Sequence, residues 1–249
     1  MKVVYHPRYL EVYASDPAAR PGRIESILQE VSPHFDLVTP EPASIEEIEL
    51  VHTKWHIAEI QRMGQTYEVA LLAAGGTIKA AELAMSGEPA FGLVRPPGHH
   101  ASPDSCWGFC FFNNMAISIA KLRKRGKINS AVILDFDLHF GDGTENVFSG
   151  VPEVVYYHPE DRSRQEFVEG IARFLDRQKA DIIAISAGFD RGVKDWGGLL
   201  AVEDYQTIGK LVKEFSLKAC KGRRYGVLEG GYNHDVLGKN VKAFLDGIS

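Results

Sequence analysis

Two aspartates and a histidine, spaced two apart, close an apolar run in Val132-Ile133-Leu134-Asp135-Phe136-Asp137-Leu138-His139-Phe140-Gly141-Asp142-Gly143. Side chains of an extended strand alternate faces, so Asp135, Asp137 and His139 are expected on one side. Carboxylates and an imidazole at the exit of a buried strand are costly unless a cation holds them. A divalent metal meets that need, and an Asp/His set suits zinc or iron(II). The plainer alternative is a polar strand end closed by salt bridges. Asp137 and His139 form a natural ligand pair. A catalytic zinc keeps a coordination position open for water, and a further protein ligand must come from another strand end. Asp190 and Asp195, in Ala187-Gly188-Phe189-Asp190-Arg191-Gly192-Val193-Lys194-Asp195-Trp196, are the candidates. As ordinary structure, either would be a helix cap or a loop turn.

Adjacent histidines end Arg95-Pro96-Pro97-Gly98-His99-His100, in a loop stiffened by proline and bent by glycine. Neighbouring side chains diverge, so the two are not expected to bind one metal. Both could flank it if each were held by a carboxylate, and Asp135 and Asp142 are spare for that. A carboxylate on one ring nitrogen fixes the tautomer and raises basicity. Tyr232 follows two glycines at another strand end, where a phenol can donate to a developing oxyanion; a tyrosine satisfied in the core is the commoner case. Phe109, after Trp107-Gly108, could wall a narrow apolar channel or serve as plain core. Metal, activated water, general base and oxyanion donor together describe metal-assisted hydrolysis of an acyl compound.

The elements that must position these groups alternate in kind. Strands are expected at Lys2 to Tyr5, Ala90 to Val94, from Ala131 into the Asp/His run, Glu153 to Tyr157, Asp181 to Ser186 and Arg224 to Leu228. Helices are expected at Arg23 to Val31, after the capping box Ser44-Ile45-Glu46-Glu47, at Lys54 to Met63, Tyr67 to Met85, Asn113 to Arg125, Asp142 to Phe148, Ser163 to Lys179, Glu203 to Ala219 and Asp235 to Leu245. His6 to Pro21 reads as loop. The alternation predicts an α/β protein with a mostly parallel sheet between helices. Ligand sites in such sheets lie at the carboxyl ends of strands, where His99-His100, Asp135 to Asp142, Asp190 to Asp195 and Gly230 to Tyr232 all fall.

The chain has 249 residues, 45% hydrophobic and 24% charged, with a formal net charge of -5. No repeat or linker divides it, so one domain over residues 1–249 is expected. Mild acidity argues against a nucleic-acid binder that works by bulk charge. Three cysteines with no C-x-x-C pair argue against a disulfide framework and for a reducing, cytoplasmic setting. The N-terminus runs straight into a strand with no charged leader. No apolar run approaches the roughly 20 residues that span a bilayer.

Five motifs then point to one family. Arg95-Pro96-Pro97-Gly98-His99-His100, Gly108-Phe109-Cys110 with Phe112-Asn113-Asn114, Asp135-x-Asp137-x-His139-x-Gly141-Asp142-Gly143, Ala187-Gly188-Phe189-Asp190 and Glu229-Gly230-Gly231-Tyr232 resemble the zinc-dependent histone deacetylases. That superfamily includes acetylpolyamine amidohydrolases and acetoin utilisation proteins. The motifs come in family order and span about Tyr5 to Leu245. The resemblance implies the arginase–deacetylase fold, with a central, mostly parallel sheet of about eight strands. It implies Zn²⁺ on Asp137, His139 and Asp195, and iron(II) would suit the same ligands. His100, backed by Asp142, would be general base and acid. His99, backed by Asp135, would be its electrostatic partner. Tyr232 would polarise the amide carbonyl and stabilise the tetrahedral oxyanion. Gly108 and Phe109 would line an acyl-lysine channel with Gly231 nearby, and Arg23 would stand beside an internal cavity for acetate. The implied substrate is an acetylated lysine peptide or a small acylated amine.

Departures from the family pattern cluster on the rim. Asp195-Trp196-Gly197-Gly198 stands where Asp-Pro-Leu-Gly is common, and Gly197 takes the place of the acidic gatekeeper of polyamine-selective members. The serine that helps hold a structural potassium is replaced by His158, which puts that ion in doubt. The long loop that comes after the serine is missing, because Val154-Val155-Tyr156-Tyr157-His158-Pro159 leads directly into a helix. No match appears for the family's substrate-orienting aspartate before Tyr67. These deletions predict a wide, shallow mouth. Two alternatives stand beside the zinc deacetylase reading: a deacylase of small metabolites, and a degenerate member that binds metal or acylated ligands without turnover. An arginase-type ureohydrolase fits His99-His100 and Tyr232 poorly.

Overall fold

The apolar runs become strands, and the central ones are buried on both faces, as a parallel sheet covered by helices demands. The computed structural model describes residues 1–249. Its elements are β1 (Lys2–Val4), α1 (Arg23–Val31), β2 (Asp36–Val38), α2 (Ile45–Ile48), α3 (Lys54–Gln61), α4 (Gln65–Met85), β3 (Ala90–Gly92), α5 (Asn114–Lys124), β4 (Ala131–Asp135), α6 (Asp142–Phe148), β5 (Val154–Tyr157), α7 (Arg164–Leu175), β6 (Ile182–Ala187), α8 (Val202–Ala219), β7 (Arg224–Leu228) and α9 (His234–Ile248). The strands form one seven-stranded sheet in the order β2-β1-β3-β7-β6-β4-β5. Every pairing is parallel.

The α/β expectation holds, with seven strands where about eight were implied. All six strands expected from apolar runs are present. The seventh, β2, is a three-residue edge strand whose Leu37 is 42% exposed, so no apolar run announced it. The segment His6 to Pro21 holds two 3₁₀ turns, Pro7–Leu10 and Pro17–Ala19. The Ser44 capping box forms as expected: Ser44 N donates to Glu47 Oε2 at 2.9 Å and Glu47 N to Ser44 Oγ at 3.3 Å.

Helices α1, α7, α8 and α9 contact one another as one layer, and α4 and α5 anchor the second. Two glycines let α4 approach its neighbours. A Cβ on Gly75 would stand 2.0 Å from the Glu41 carbonyl oxygen, and one on Gly76 would stand 2.7 Å from the Tyr9 hydroxyl. Gly75→Ala is therefore expected to destabilise the fold by roughly 1–3 kcal/mol through overpacking, although alanine is the better helix former by about 1 kcal/mol. Urea unfolding midpoints measure this; a stability at or above wild type would refute it.

The topology places the chemistry. Strands β3, β7, β6 and β4 are consecutive neighbours in the sheet, and being parallel they end at one edge. These are the strands that lead into His99-His100, Gly230 to Tyr232, Asp190 and the Asp/His run. Beneath that edge Phe136, Phe189, Tyr205 and Phe244 pack edge-on or tilted, with Phe136 and Phe189 centroids 5.7 Å apart. Both phenylalanines are wholly buried, and each precedes an aspartate of the site.

Candidate active site

The Asp/His run is not one continuous strand. β4 ends at Asp135, and side-chain hydrogen bonds shape the turn beyond it. Asp135 Oδ1 accepts from Asp137 N at 3.1 Å, and Asp137 Oδ1 accepts from His139 N at 2.9 Å. Each aspartate thus orders the residue two positions on, a local turn that short acidic side chains favour. Gly230 N donates to Asp137 Oδ2 at 2.7 Å, and Leu138 N to Asp190 Oδ1 at 3.0 Å. Only glycine fits beside these carboxylates: a Cβ on Gly188 would lie 2.0 Å from Asp137 Oδ2, and one on Gly230 would lie 2.6 Å from both Asp137 Oδ2 and Asp190 Oδ2.

Asp137, His139 and Asp190 converge, with their ligand atoms all within 4.8 Å of one another. His139 Nδ1 stands 3.3 Å from Asp137 Oδ1 and 3.3 Å from Asp190 Oδ2. Asp190 Oδ2 is buried and has no hydrogen-bond partner. An orphaned carboxylate oxygen is costly, and a divalent cation at the convergence point would satisfy it. The donor set of two carboxylates and an imidazole fits zinc or iron(II).

Asp195, the ligand implied by the resemblance, stands outside this cluster. Its Oδ2 accepts from Tyr232 N and Asn233 N at 2.7 Å each, and its Oδ1 from Trp196 N at 2.8 Å. Those main-chain bonds turn it toward the segment after β7, so its work is to hold Tyr232. Asp190, the other candidate weighed from the sequence, is the one that stands in the cluster.

The histidine pair is backed as expected. His99 Nδ1 lies 3.0 Å from Asp135 Oδ2, and His100 Nδ1 2.6 Å from Asp142 Oδ1. The rings do not splay apart; their centroids are 4.0 Å apart at a 44° tilt, each ring on its own carboxylate. Three supporting groups carried no clear signal in the sequence. Glu229 is wholly buried and accepts from Gly98 N at 2.7 Å and His99 N at 3.3 Å, so it holds the histidine loop. Trp107 donates its indole N–H to Asp142 Oδ2 at 2.9 Å and lies against His100, with centroids 3.9 Å apart. Tyr156 donates to Asp135 Oδ2 at 2.9 Å. Glu229 lies inside a recognised motif, and Trp107 directly precedes one; nothing local marked Tyr156.

Electrostatics separate the two histidines. Burial and the neighbouring His99 push His100 down to about 4, against the pull of Asp142. Burial acts downward on His99 too, but the Asp137 and Asp135 carboxylates outweigh it and raise His99 well above the ordinary value. Burial and the Asp137 charge lift Asp190 to about 6. Burial also lifts Glu229 to about 7, and with Asp137 it raises the Tyr232 phenol, which stays protonated at neutral pH. The Asp137 and Asp190 carboxylates, each with an oxygen 3.3 Å from Nδ1, raise His139 to about 9. A metal bound there would have to displace that proton. Below pH 9 metal-free His139 is protonated, so apparent affinity is expected to climb roughly tenfold per pH unit between pH 6.5 and 8.5. Competition against a chelator at several pH values reads this; an affinity that stays flat would refute it.

A cavity of about 110 Å³ opens over these groups, lined by His99, His100, His139 and Tyr232, with Gly108, Phe109, Trp107 and Trp196 among its walls. Gly108 and Phe109 both hold left-handed backbone, at φ 59° and 67°. For Phe109 that conformation costs about 1–2 kcal/mol, and it turns the ring edge-on to Tyr232 at 6.0 Å. Gly231 does not line the cavity; its carbonyl accepts from Arg23 Nε at 2.8 Å. Arg23 is fully buried, carries its guanidinium carbon 5.3 Å from the Tyr232 ring centroid, and leaves Nη1 without a partner. It therefore approaches the site from behind the tyrosine. Trp196 stacks on Tyr232 at 4.2 Å and supplies a wall that the sequence left open. The His139 side chain is 39% exposed at the mouth, which Trp107 and Trp196 flank. A larger groove of about 820 Å³ lies between α7 and α8 by Ser130 and Asp181, ahead of β4 and β6, and carries none of these groups.

At the carboxyl edge of a parallel α/β sheet, an Asp/His/Asp cluster that could hold a metal thus stands beside two His–Asp pairs. The family model described as the histone deacetylase domain matches residues 17–159 and 158–248. The chain belongs to the histone deacetylase family. The two matched stretches overlap at His158 and Pro159. A probable deacetylase of Methanothermobacter thermautotrophicus is 28% identical over 306 aligned residues, covering 100% of this chain and 90% of that one. The alignment is longer than the chain, so that relative carries insertions this chain lacks. Histone deacetylase 8 of Arabidopsis thaliana is 27% identical over 98% of this chain and 81% of its own. A histone deacetylase-like amidohydrolase of Pseudomonas aeruginosa is 26% identical over 89% of this chain and 73% of its own. The crystal structure of the HDA15 HD domain shares the fold at a TM-score of 0.88 and 21% identity, over 99% of this chain and 88% of that one.

Proposed function

We propose that this chain is a zinc-dependent amidohydrolase that cleaves an acyl group, acetyl foremost, from a lysine side chain or a small amine, giving a carboxylate and a free amine. The observation that carries the reading is the convergence of His139 and the orphaned Asp190 oxygen with Asp137, beside a histidine already paired to its own carboxylate. Family membership and relatives named deacetylase and amidohydrolase support it.

A divalent ion held by Asp137, His139 and Asp190 would polarise the acyl oxygen and lower the pKa of a water. His100 is neutral at pH 7, and its Nδ1 is taken by Asp142, which leaves Nε2 to accept a proton and return it to the departing amine. Because Trp107 occupies the second Asp142 oxygen, the carboxylate cannot swing away from the imidazole. His99 carries positive charge beside the reacting centre. Tyr232 keeps its proton and can donate to the oxyanion, held in place by Asp195 through its main chain and by Trp196 through its ring. Phe109, Trp107 and Trp196 keep the acyl group in apolar surroundings. A cytoplasmic setting belongs to the same proposal, supported by three free cysteines.

Metal-stripped protein, reloaded with zinc and given a fluorogenic acetyl-lysine peptide, tests the proposal. Zinc-dependent turnover blocked by a hydroxamate is the expected result. Acetylated polyamines assayed alongside separate peptide from small-amine substrates. A zinc-loaded chain inert toward both would favour a protein that binds acylated ligands without turnover.

A further inference from the structure

Arg191 directly follows the ligand Asp190 and is 7% exposed. A buried guanidinium normally meets a carboxylate, since its charge cannot be shed by losing a proton. Here Nε donates to the main-chain oxygen of Asp137 at 2.9 Å, and Nη2 to Pro159 O at 3.1 Å and His158 Nε2 at 2.9 Å. The guanidinium carbon lies 4.9 Å from the Phe167 ring centroid of α7, a cation–π contact. All of its partners are uncharged oxygens, an imidazole nitrogen and a ring face. Such a set would suit a small bound cation as well as it suits an arginine.

The position explains why a charge sits there. Asp137 follows β4, His158 and Pro159 follow β5, and Arg191 follows β6, three neighbouring strands at the reactive edge. Burial weighs against the charge on Arg191, and the Asp137, Asp190 and Asp135 carboxylates favour it. A divalent ion in the proposed site and the charge on His99 would together match those three carboxylates, so Arg191 serves above all to fix position. Arg191 also grips the carbonyl of a residue whose carboxylate faces that site, so it fixes the direction in which Asp137 points.

We propose that Arg191 is a positioning residue that acts as a built-in cation: its guanidinium takes the carbonyl oxygens and imidazole nitrogen that a bound cation would use and locks the loop of Asp137 and His139, so that the metal site needs no bound potassium or sodium. This rests on the proposed metal centre. It also assigns His158, which stands where the resemblance places a cation-binding serine, to Arg191 instead.

The test tracks zinc release from the zinc-loaded full chain into a chromogenic chelator, at equal ionic strength in potassium, sodium and tetramethylammonium chloride. Wild type is expected to retain zinc equally in all three salts. Arg191→Met is expected to lose about 10–100-fold in zinc affinity in tetramethylammonium, with potassium restoring part of the loss. Arg191→Lys keeps a charge but cannot bridge both carbonyls, and should fall between. A wild type that holds zinc only with potassium overturns the inference. So does Arg191→Met with wild-type retention, or with a loss equal in all three salts, which marks packing alone. If Arg191→Met does not fold, the wild-type salt comparison and Arg191→Lys decide by the same criteria. A chain that takes up no zinc overturns this inference and the metal reading together. Salt-indifferent zinc retention without hydrolysis of any acyl substrate, with the variants as expected, upholds Arg191 while removing the proposed reaction.

Discussion

His100→Ala is expected to lower turnover by about 10²–10⁴-fold while leaving zinc content and affinity at wild-type levels. The imidazole is the neutral base of the site, held at about 4 by burial and by His99. It is not among the converging ligand atoms, which belong to Asp137, His139 and Asp190. Removing it takes away the proton carrier and leaves the metal pocket whole. The vacated space lies under Trp107, whose indole still has Asp142 to bond, so the local fold has reason to persist. Zinc content by atomic absorption and initial rates on acetyl-lysine peptide give the two numbers side by side. A variant with wild-type turnover would remove His100 from the mechanism. A variant that has lost its zinc would mean the pair is part of the metal shell.

Asp190→Asn and Asp195→Asn separate the two aspartates that the sequence offered as ligands. Asp190→Asn is expected to weaken zinc binding by more than the roughly 10–100-fold typical of losing an outer-shell partner, because it removes a ligating charge. The amide oxygen can still accept the Leu138 N–H, so the backbone keeps its bond. Burial beside Asp137 already raises Asp190 to about 6; deleting that charge relieves repulsion, and the metal-free variant should be no less stable than metal-free wild type. Asp195→Asn should hold zinc as wild type does and lose only turnover, within the ~10²-fold that misplacing an oxyanion donor costs, since its carboxylate touches only main-chain N–H groups of Trp196, Tyr232 and Asn233. Chelator competition ranks the two variants. The opposite ranking would return the ligand role to Asp195.

Much of this protein was legible in one dimension. Apolar runs marked the five interior strands, because a strand buried on both faces has little room for polar residues, and they marked the edge strand β5 as well. The chemistry at the strand ends was legible where the partners of a function lie close in the chain. Asp137 with His139, and His99 beside His100, carry their spacing with them, and the carboxylates of Asp135 and Asp142 were assignable as backing because the site needs two and two were unspent. The edge strand β2 escaped notice because an exposed strand needs no apolar pattern.

The tertiary structure decided the rest. Asp190 and Asp195 lie five residues apart in one loop, with equal chemistry. Which of them faces His139 depends on how β6 seats against β4 and β7, with Asp135 level with Ser186 and Ala187 level with Leu228. Nothing in the sequence set Arg191 apart from other loop charges; the fold brings Asp137, His158 and Pro159 around it. Trp196 became a wall of the cavity only because its loop folds back over Tyr232. Residue types and short spacings set what a segment can do, and those survive in the sequence. Which groups meet is set by register across the sheet and by loop closure, and these depend on pairings between residues far apart in the chain.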